Sequence, residues 1–78
     1  MRATMPAMKQ LYHTIIKPEP NGWYVGWVEE IPGVNSQGKT RRELLVNLRS
    51  ALTEALEFNR EEALAAADDH YTEEPITV

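Results

Sequence analysis

The residues with the most chemical promise are Gly33-Val34-Asn35-Ser36-Gln37-Gly38-Lys39-Thr40, which satisfy the pattern G-x-x-x-x-G-K-[ST] letter for letter. In a phosphate loop that pattern wraps backbone amides around phosphates. It also sets a lysine on the outer phosphates and a Ser or Thr hydroxyl on Mg²⁺. The loop needs a buried parallel sheet around it and a second acidic residue on the metal. Parallel strands require crossovers of about a dozen residues or more each, and this chain has room for one crossover helix at most. Pro32 also stands just before the segment, where a central strand should continue. A plainer reading accounts for every letter: Pro32-Gly33 ends a strand, Gly38 turns the chain, and Thr40 caps a helix. The expectation is no bound nucleotide and no cofactor.

Other reactive side chains are sparse. His13 and His70 lie far apart, and no spacing supplies the three or four ligands of a metal site. Glu29-Glu30 and Asp68-Asp69 are acidic pairs. Neighbours on a strand point to opposite faces, so Glu29 and Glu30 need not cooperate, and solvated charge is the favoured reading. Arg41, Arg42 and Arg49 recur at helical spacing and read as a solvated face on an acidic chain. There is no cysteine, which excludes disulfides, thiolate nucleophiles and cysteine zinc sites. No catalytic residue and no metal site is expected, so the chain reads as a non-enzyme.

These residues must be positioned by few elements. Leu11, Tyr12, Thr14, Ile15 and Ile16 mark a strand over Lys9 to Lys17, and residues 1–8 read as a loosely ordered, flexible terminus. Pro18-Glu19-Pro20-Asn21-Gly22 is a turn cluster, and a second strand follows from Trp23 to Glu29. The two should pair as an antiparallel hairpin. Val34 to Gln37 reads as a short third strand. Thr40 and Glu43 form a capping box. Leu44, Leu45, Leu48, Ala51, Leu52, Ala55 and Leu56 then recur at steps of three and four, which predicts one face of a helix. Arg41, Arg42, Asn47, Arg49, Ser50, Glu54 and Glu57 fall mainly on its other side. Phe58-Asn59 is a candidate break, with helix-favouring residues continuing to Ala67. Pro75 to Val78 reads as a short fourth strand. The expected architecture is an α+β two-layer domain over residues 9–78: a three-stranded antiparallel sheet with one long helix on one face.

Strand alternation divides the second strand. Trp23, Val25, Trp27 and Glu29 share one face; Tyr24, Gly26 and Val28 share the other. Gly26 has no side chain, so it is expected under the helix, against small residues such as Ala51 and Ala55. Trp23, Val25 and Trp27 are then left on the uncovered face as an apolar interaction patch for a partner or a second copy, with Glu29 and Glu30 beside it.

Composition sets the outer bounds. A chain of 78 residues, 42% hydrophobic and 26% charged, is one small globular domain near the lower limit of self-sufficient cores. Such domains often gain stability by self-association. The net charge of −4 argues against direct nucleic-acid binding and suits a basic protein partner. No apolar run reaches the roughly 20 residues of a membrane span, and the first residues lack a signal-peptide core. No membrane association is expected, and the expected location is cytoplasmic.

The run from Asn21 to Glu43 resembles the core of HicB-type antitoxins. It has a glycine-aromatic strand (Gly22-Trp23-Tyr24-Val25-Gly26-Trp27), Glu30-Ile31-Pro32-Gly33, and then Gly38-x-Thr40-x-x-Glu43 opening a helix. The resemblance extends through Leu56 and covers roughly residues 10–60. It implies a partial ribonuclease-H-like fold of three strands, a helix and a fourth strand. It also implies binding to a HicA-type toxin, a small basic ribonuclease that cuts messenger RNA, and a homo-oligomer, dimer or tetramer. Family members commonly add a C-terminal DNA-binding domain. Residues 61–78 are too few for one, so this chain resembles a short form. The ribonuclease-H likeness brings no catalysis, because that chemistry needs several carboxylates converging on metal ions and the centre of the second strand has none. A stand-alone oligomeric domain with an unknown ligand and no toxin is the alternative.

Overall fold

The computed structural model describes residues 11–77. The expected flexible terminus at residues 1–8, the first two positions of the expected first strand, and Val78 lie outside that range. Strand β1 (Thr14–Pro18), β2 (Tyr24–Val28) and β3 (Asn35–Gly38) form an antiparallel sheet in the order β1-β2-β3. Helix α1 (Arg41–Ala67) follows. This is the expected α+β arrangement.

The β1–β2 hairpin turns where the Pro/Asn/Gly cluster stands. Gly22 N–H donates to Glu19 O at 2.9 Å, Pro20 and Asn21 occupy the turn centre, and Gly22 adopts φ +92°. Asn21 Oδ1 accepts from Trp23 N–H at 3.0 Å and starts β2. Register then pairs Ile15 with Trp27 and Ile16 with Gly26.

The helix covers the Gly26 face. Val28, Val34, Leu44 and Leu48 are the buried hydrophobic residues among those described, flanked by Tyr12, Ile16, Tyr24, Ile31, Ala51, Leu52 and Ala55. A Cβ on Gly26 would sit 3.3 Å from Leu48 Cδ1, so the missing side chain is what lets helix and sheet approach.

The start of α1 is built as its sequence implies, with one shift. Thr40 Oγ1 accepts from Glu43 N–H at 3.0 Å. The Glu43 carboxylate reaches back one residue further than the usual box and accepts from Lys39 N–H at 2.6 Å.

Four expectations need correction. No break occurs at Phe58-Asn59: α1 is continuous for 27 residues, since both residues are tolerated in a helix whose neighbours are strong formers. Asn47 does not face solvent. It is half-buried and its Nδ2 donates to Gln37 O at 2.9 Å, tying the helix to β3. Leu45 lies outside the core and is 39% exposed. Residues 75–77 form no fourth strand: Pro75 lacks a donor, and α1 carries the chain about 40 Å along its axis at 1.5 Å per residue. The helix ends at Asp68 in a positive-φ conformation with no basic residue in its last turn.

Candidate functional site

The face of the sheet opposite α1 gathers the candidate residues. Trp23 and Val25 are half-buried there, and Trp27 is 41% exposed. The register sets Ile15, 37% exposed, beside Trp27, and pairs Val25 with Lys17 on one side and Gln37 on the other. Directly opposed residues share a face, so Trp27 and Ile15 form one apolar surface. Lys39 Nζ lies 5.7 Å from the centroid of the Trp23 ring, within cation–π range.

The backbone of the phosphate-loop segment is not that of a loop. Four of the eight motif residues, Asn35 to Gly38, are an extended strand paired with β2. An extended backbone cannot wrap its amides around a phosphate. Val34 is packed into the core, Thr40 caps α1, and Lys39 lies over Trp23.

At the far end of the same strands, Glu29 and Glu30 are exposed and meet His13. Continuing the register by one pair brings His13 beside Glu29, whose N–H donates to His13 O at 2.8 Å. The Glu30 carboxylate accepts from His13 N–H at 2.9 Å and lies 2.5 Å from His13 Nδ1. The hydrogen bond and charge of Glu30, with a smaller contribution from Glu29, raise the His13 pKa above its ordinary value. The same contacts with the His13 ring and backbone lower the Glu30 pKa. β2 has already ended at Val28, so the strand rule separating Glu29 from Glu30 no longer applies.

His13, Glu29 and Glu30 each have a ligand-type atom within 4.8 Å of the others. All three are exposed, and Glu30 is already engaged by the His13 ring and amide. A structural metal site wants four ligands about 2 Å from a shared centre, which this open ion pair does not resemble. Sequence alone does not place His13 or Ile15 beside Trp27, Glu29 and Glu30. The signal was available: once the hairpin turn is fixed, positions summing to 42 face each other, as Ile15 and Trp27 do.

Comparison with known proteins gives one informative likeness. Over 46 residues the chain is 39% identical to the UPF0150 protein Ta0767 of Thermoplasma acidophilum, covering 59% of this chain and 67% of that protein. The chain belongs to the UPF0150 family. No family model matches this UPF0150 chain, and no solved structure matches it. Among its described residues, no helix is long and apolar enough to cross a membrane.

Proposed function

We propose that this UPF0150 domain is a non-catalytic, antitoxin-like protein that binds and neutralises a small basic messenger-RNA ribonuclease of the HicA type. One observation carries the reading: exposed Trp27 and Ile15 share the sheet face that α1 leaves open, with exposed Glu29 and Glu30 just past the end of β2. An apolar surface rimmed by carboxylates suits a basic protein, with burial of Trp27 supplying affinity and the acids supplying attraction and orientation. Trp23, Val25, Trp27, Glu29 and Glu30 are the proposed contact residues. Covering the toxin's active surface would deny it RNA, with no catalytic group required of the antitoxin. The HicB resemblance of residues 21–43 supports the same reading.

The test is co-expression with the small basic protein encoded by a neighbouring reading frame, with toxicity and complex formation measured together. A stable complex that rescues growth and is weakened by Trp27→Ala and Glu30→Lys is the expected result. A complex untouched by both substitutions would remove the sheet face from the proposal. Absence of any complex would favour a stand-alone oligomeric domain.

A further inference from the structure

Helix α1 does not cover the whole sheet. It packs on β3 and β2 and barely touches β1. A groove of about 770 Å³ is left between the flank of the helix and the first strand. Tyr12 and Thr14 line it from the strand side, and Leu45, Val46 and Leu52 from the helix. Leu45 is 39% exposed and Val46 61% exposed. Arg41, Arg42 and Arg49 edge the same groove, and none of them forms an ion pair with a described carboxylate.

The strand side of this groove is also an open sheet edge, since β1 pairs with β2 alone. Backbone bonds at the two ends of the hairpin fix which of its groups face β2. His13 O accepts from Glu29 N–H at 2.8 Å, and Glu19 N–H donates to Trp23 O at 2.8 Å. In an antiparallel ladder such bonded pairs alternate with unbonded ones. Ile15 and Lys17 therefore bond across to Trp27 and Val25, while Thr14, Ile16 and Pro18 turn their backbone groups outward. No described backbone group meets them there. Pro18 has no N–H, so the edge offers the N–H and C=O of Thr14 and Ile16 and the C=O of Pro18. An edge of this kind is a template for one more strand.

We infer that an extended acidic segment of a partner protein docks in the groove by adding a strand beside β1. Its backbone would bond to Thr14 and Ile16. Alternate side chains would point toward α1, onto Leu45, Val46 and Leu52. Arg42 and Arg49 stand about 10.5 Å apart along the helix axis at about 1.5 Å per residue. An extended peptide spans about 13 Å over four residues, which two arginine side chains can bracket. The segment that fits is acid-x-apolar-x-acid, with both acids and the apolar residue on one face. Guanidinium groups suit this task because they grip carboxylates through paired hydrogen bonds. A nucleic-acid strand would satisfy the arginines but leave the apolar flank and the β1 edge unmatched. In this chain's own acidic tail, Glu73 is held by Arg60 at 2.8 Å and Pro75 lacks a donor, so a second copy fits less well. The basic toxin proposed above would be repelled by the three arginines. The face carrying Trp27 stays open with the segment in place, so the inference does not rest on that toxin.

Fluorescence anisotropy with the full chain and a labelled peptide, Thr-Glu-Thr-Ile-Thr-Glu-Thr, tests this. Saturable binding that weakens with added salt is expected. The same peptide with lysine for glutamate, or with alternate backbone amides methylated in the register that faces β1, should not bind. Arg42→Glu with Arg49→Glu should raise the dissociation constant at least about tenfold, and Trp27→Ala should leave it unchanged. If circular dichroism shows that the reversed chain loses helix, Arg42→Gln with Arg49→Gln is read instead, with the same expected direction. Amide exchange followed by NMR gives an independent readout. The peptide should slow exchange at Thr14 and Ile16 and leave Ile15 and Lys17, already bonded within the hairpin, as they were. Absence of binding, equal binding of the lysine peptide, tighter binding of an oligouridine, or indifference to the arginine changes would each overturn the inference. So would Thr14 and Ile16 amides already protected in the free chain, whether by a second copy or by another part of the same one.

Discussion

Gly26 and Leu44 face each other across the sheet–helix interface so closely that a Cβ on Gly26 would lie 3.1 Å from Leu44 Cδ2. The same atom would lie 2.6 Å from Ile15 O, a backbone group that cannot swing aside. Gly26→Ala therefore has to separate either the helix or β1 from β2. Overpacking of this kind costs about 1–3 kcal/mol. At fixed chain concentration the melting midpoint should fall by roughly 4–24 °C, on a scale of about 4–8 °C per kcal/mol for domains of this size. An unchanged melting curve would show that α1 does not rest on Gly26.

Thr40 has two possible meanings, and one substitution separates them. As an N-cap it accepts from Glu43 N–H, and Thr40→Ala should cost about 0.5–2 kcal/mol. Thr40→Ser and Thr40→Asp should restore most of that, because both keep an accepting oxygen. As a magnesium ligand of a phosphate loop, Thr40 would instead govern nucleotide affinity. Calorimetry with ATP and Mg²⁺ should give no binding in the unsubstituted chain, and Lys39→Ala should leave that result unchanged. Micromolar binding lost in Lys39→Ala would reverse the interpretation of this segment.

The contrast between these two residues shows what sequence could and could not deliver. The position of Gly26 under the helix followed from alternation along β2, since only one face of Tyr24–Val28 offered a gap. The cap at Thr40 followed from its spacing to Glu43. Asn47 was misplaced because helical periodicity sees polarity, while its amide is satisfied by Gln37 O, a partner ten residues back that only tertiary structure supplies. The His13–Glu30 contact was missed for a similar reason. It spans 17 residues and forms where β2 has already ended, so neither strand alternation nor local spacing reports it. The run of α1 to Ala67 is legible in its helix-favouring residues, and the candidate break at Phe58-Asn59 does not interrupt it because no glycine or proline stands there to enforce one.

The His13–Glu30 contact makes a pH-dependent signature. The folded-state pKa of His13 is raised, so its contribution to stability is full below the unfolded value of about 6.5 and fades as pH climbs through the folded value. The folded-state pKa of Glu30 is lowered, so its contribution is full above the unfolded value of about 4.5 and fades as pH falls through the folded one. The pair should thus act most strongly between about pH 4.5 and about pH 6.5. NMR titration of the His13 ring should give a midpoint above the ordinary histidine value of about 6.5, and Glu30→Gln should lower it. Both partners are solvent-exposed, so added salt should shrink the shift. A His13 midpoint unmoved by Glu30→Gln would mean the contact does not form in solution.

Partner recognition through the same cluster should carry the opposite pH trend. Protonated His13 offsets part of the charge of Glu29 and Glu30; neutral His13 leaves both carboxylates uncompensated. A basic partner seated on Trp27 and these acids should therefore bind more tightly as pH rises through the raised His13 midpoint, provided its own charge holds. The change should be modest, since exposed charges are screened by solvent and salt. It should come mainly through the association rate, because rim charges steer encounter more than they hold the complex. His13→Ala should flatten the trend while keeping the high-pH affinity, and Trp27→Ala should weaken binding at every pH. Surface-immobilised toxin titrated at about pH 5.5 and about pH 8 would separate these outcomes, the two values lying on either side of the ordinary histidine range. Affinity that is flat in the unsubstituted chain, or a trend that survives His13→Ala, would place the proposed toxin contact away from His13, Glu29 and Glu30.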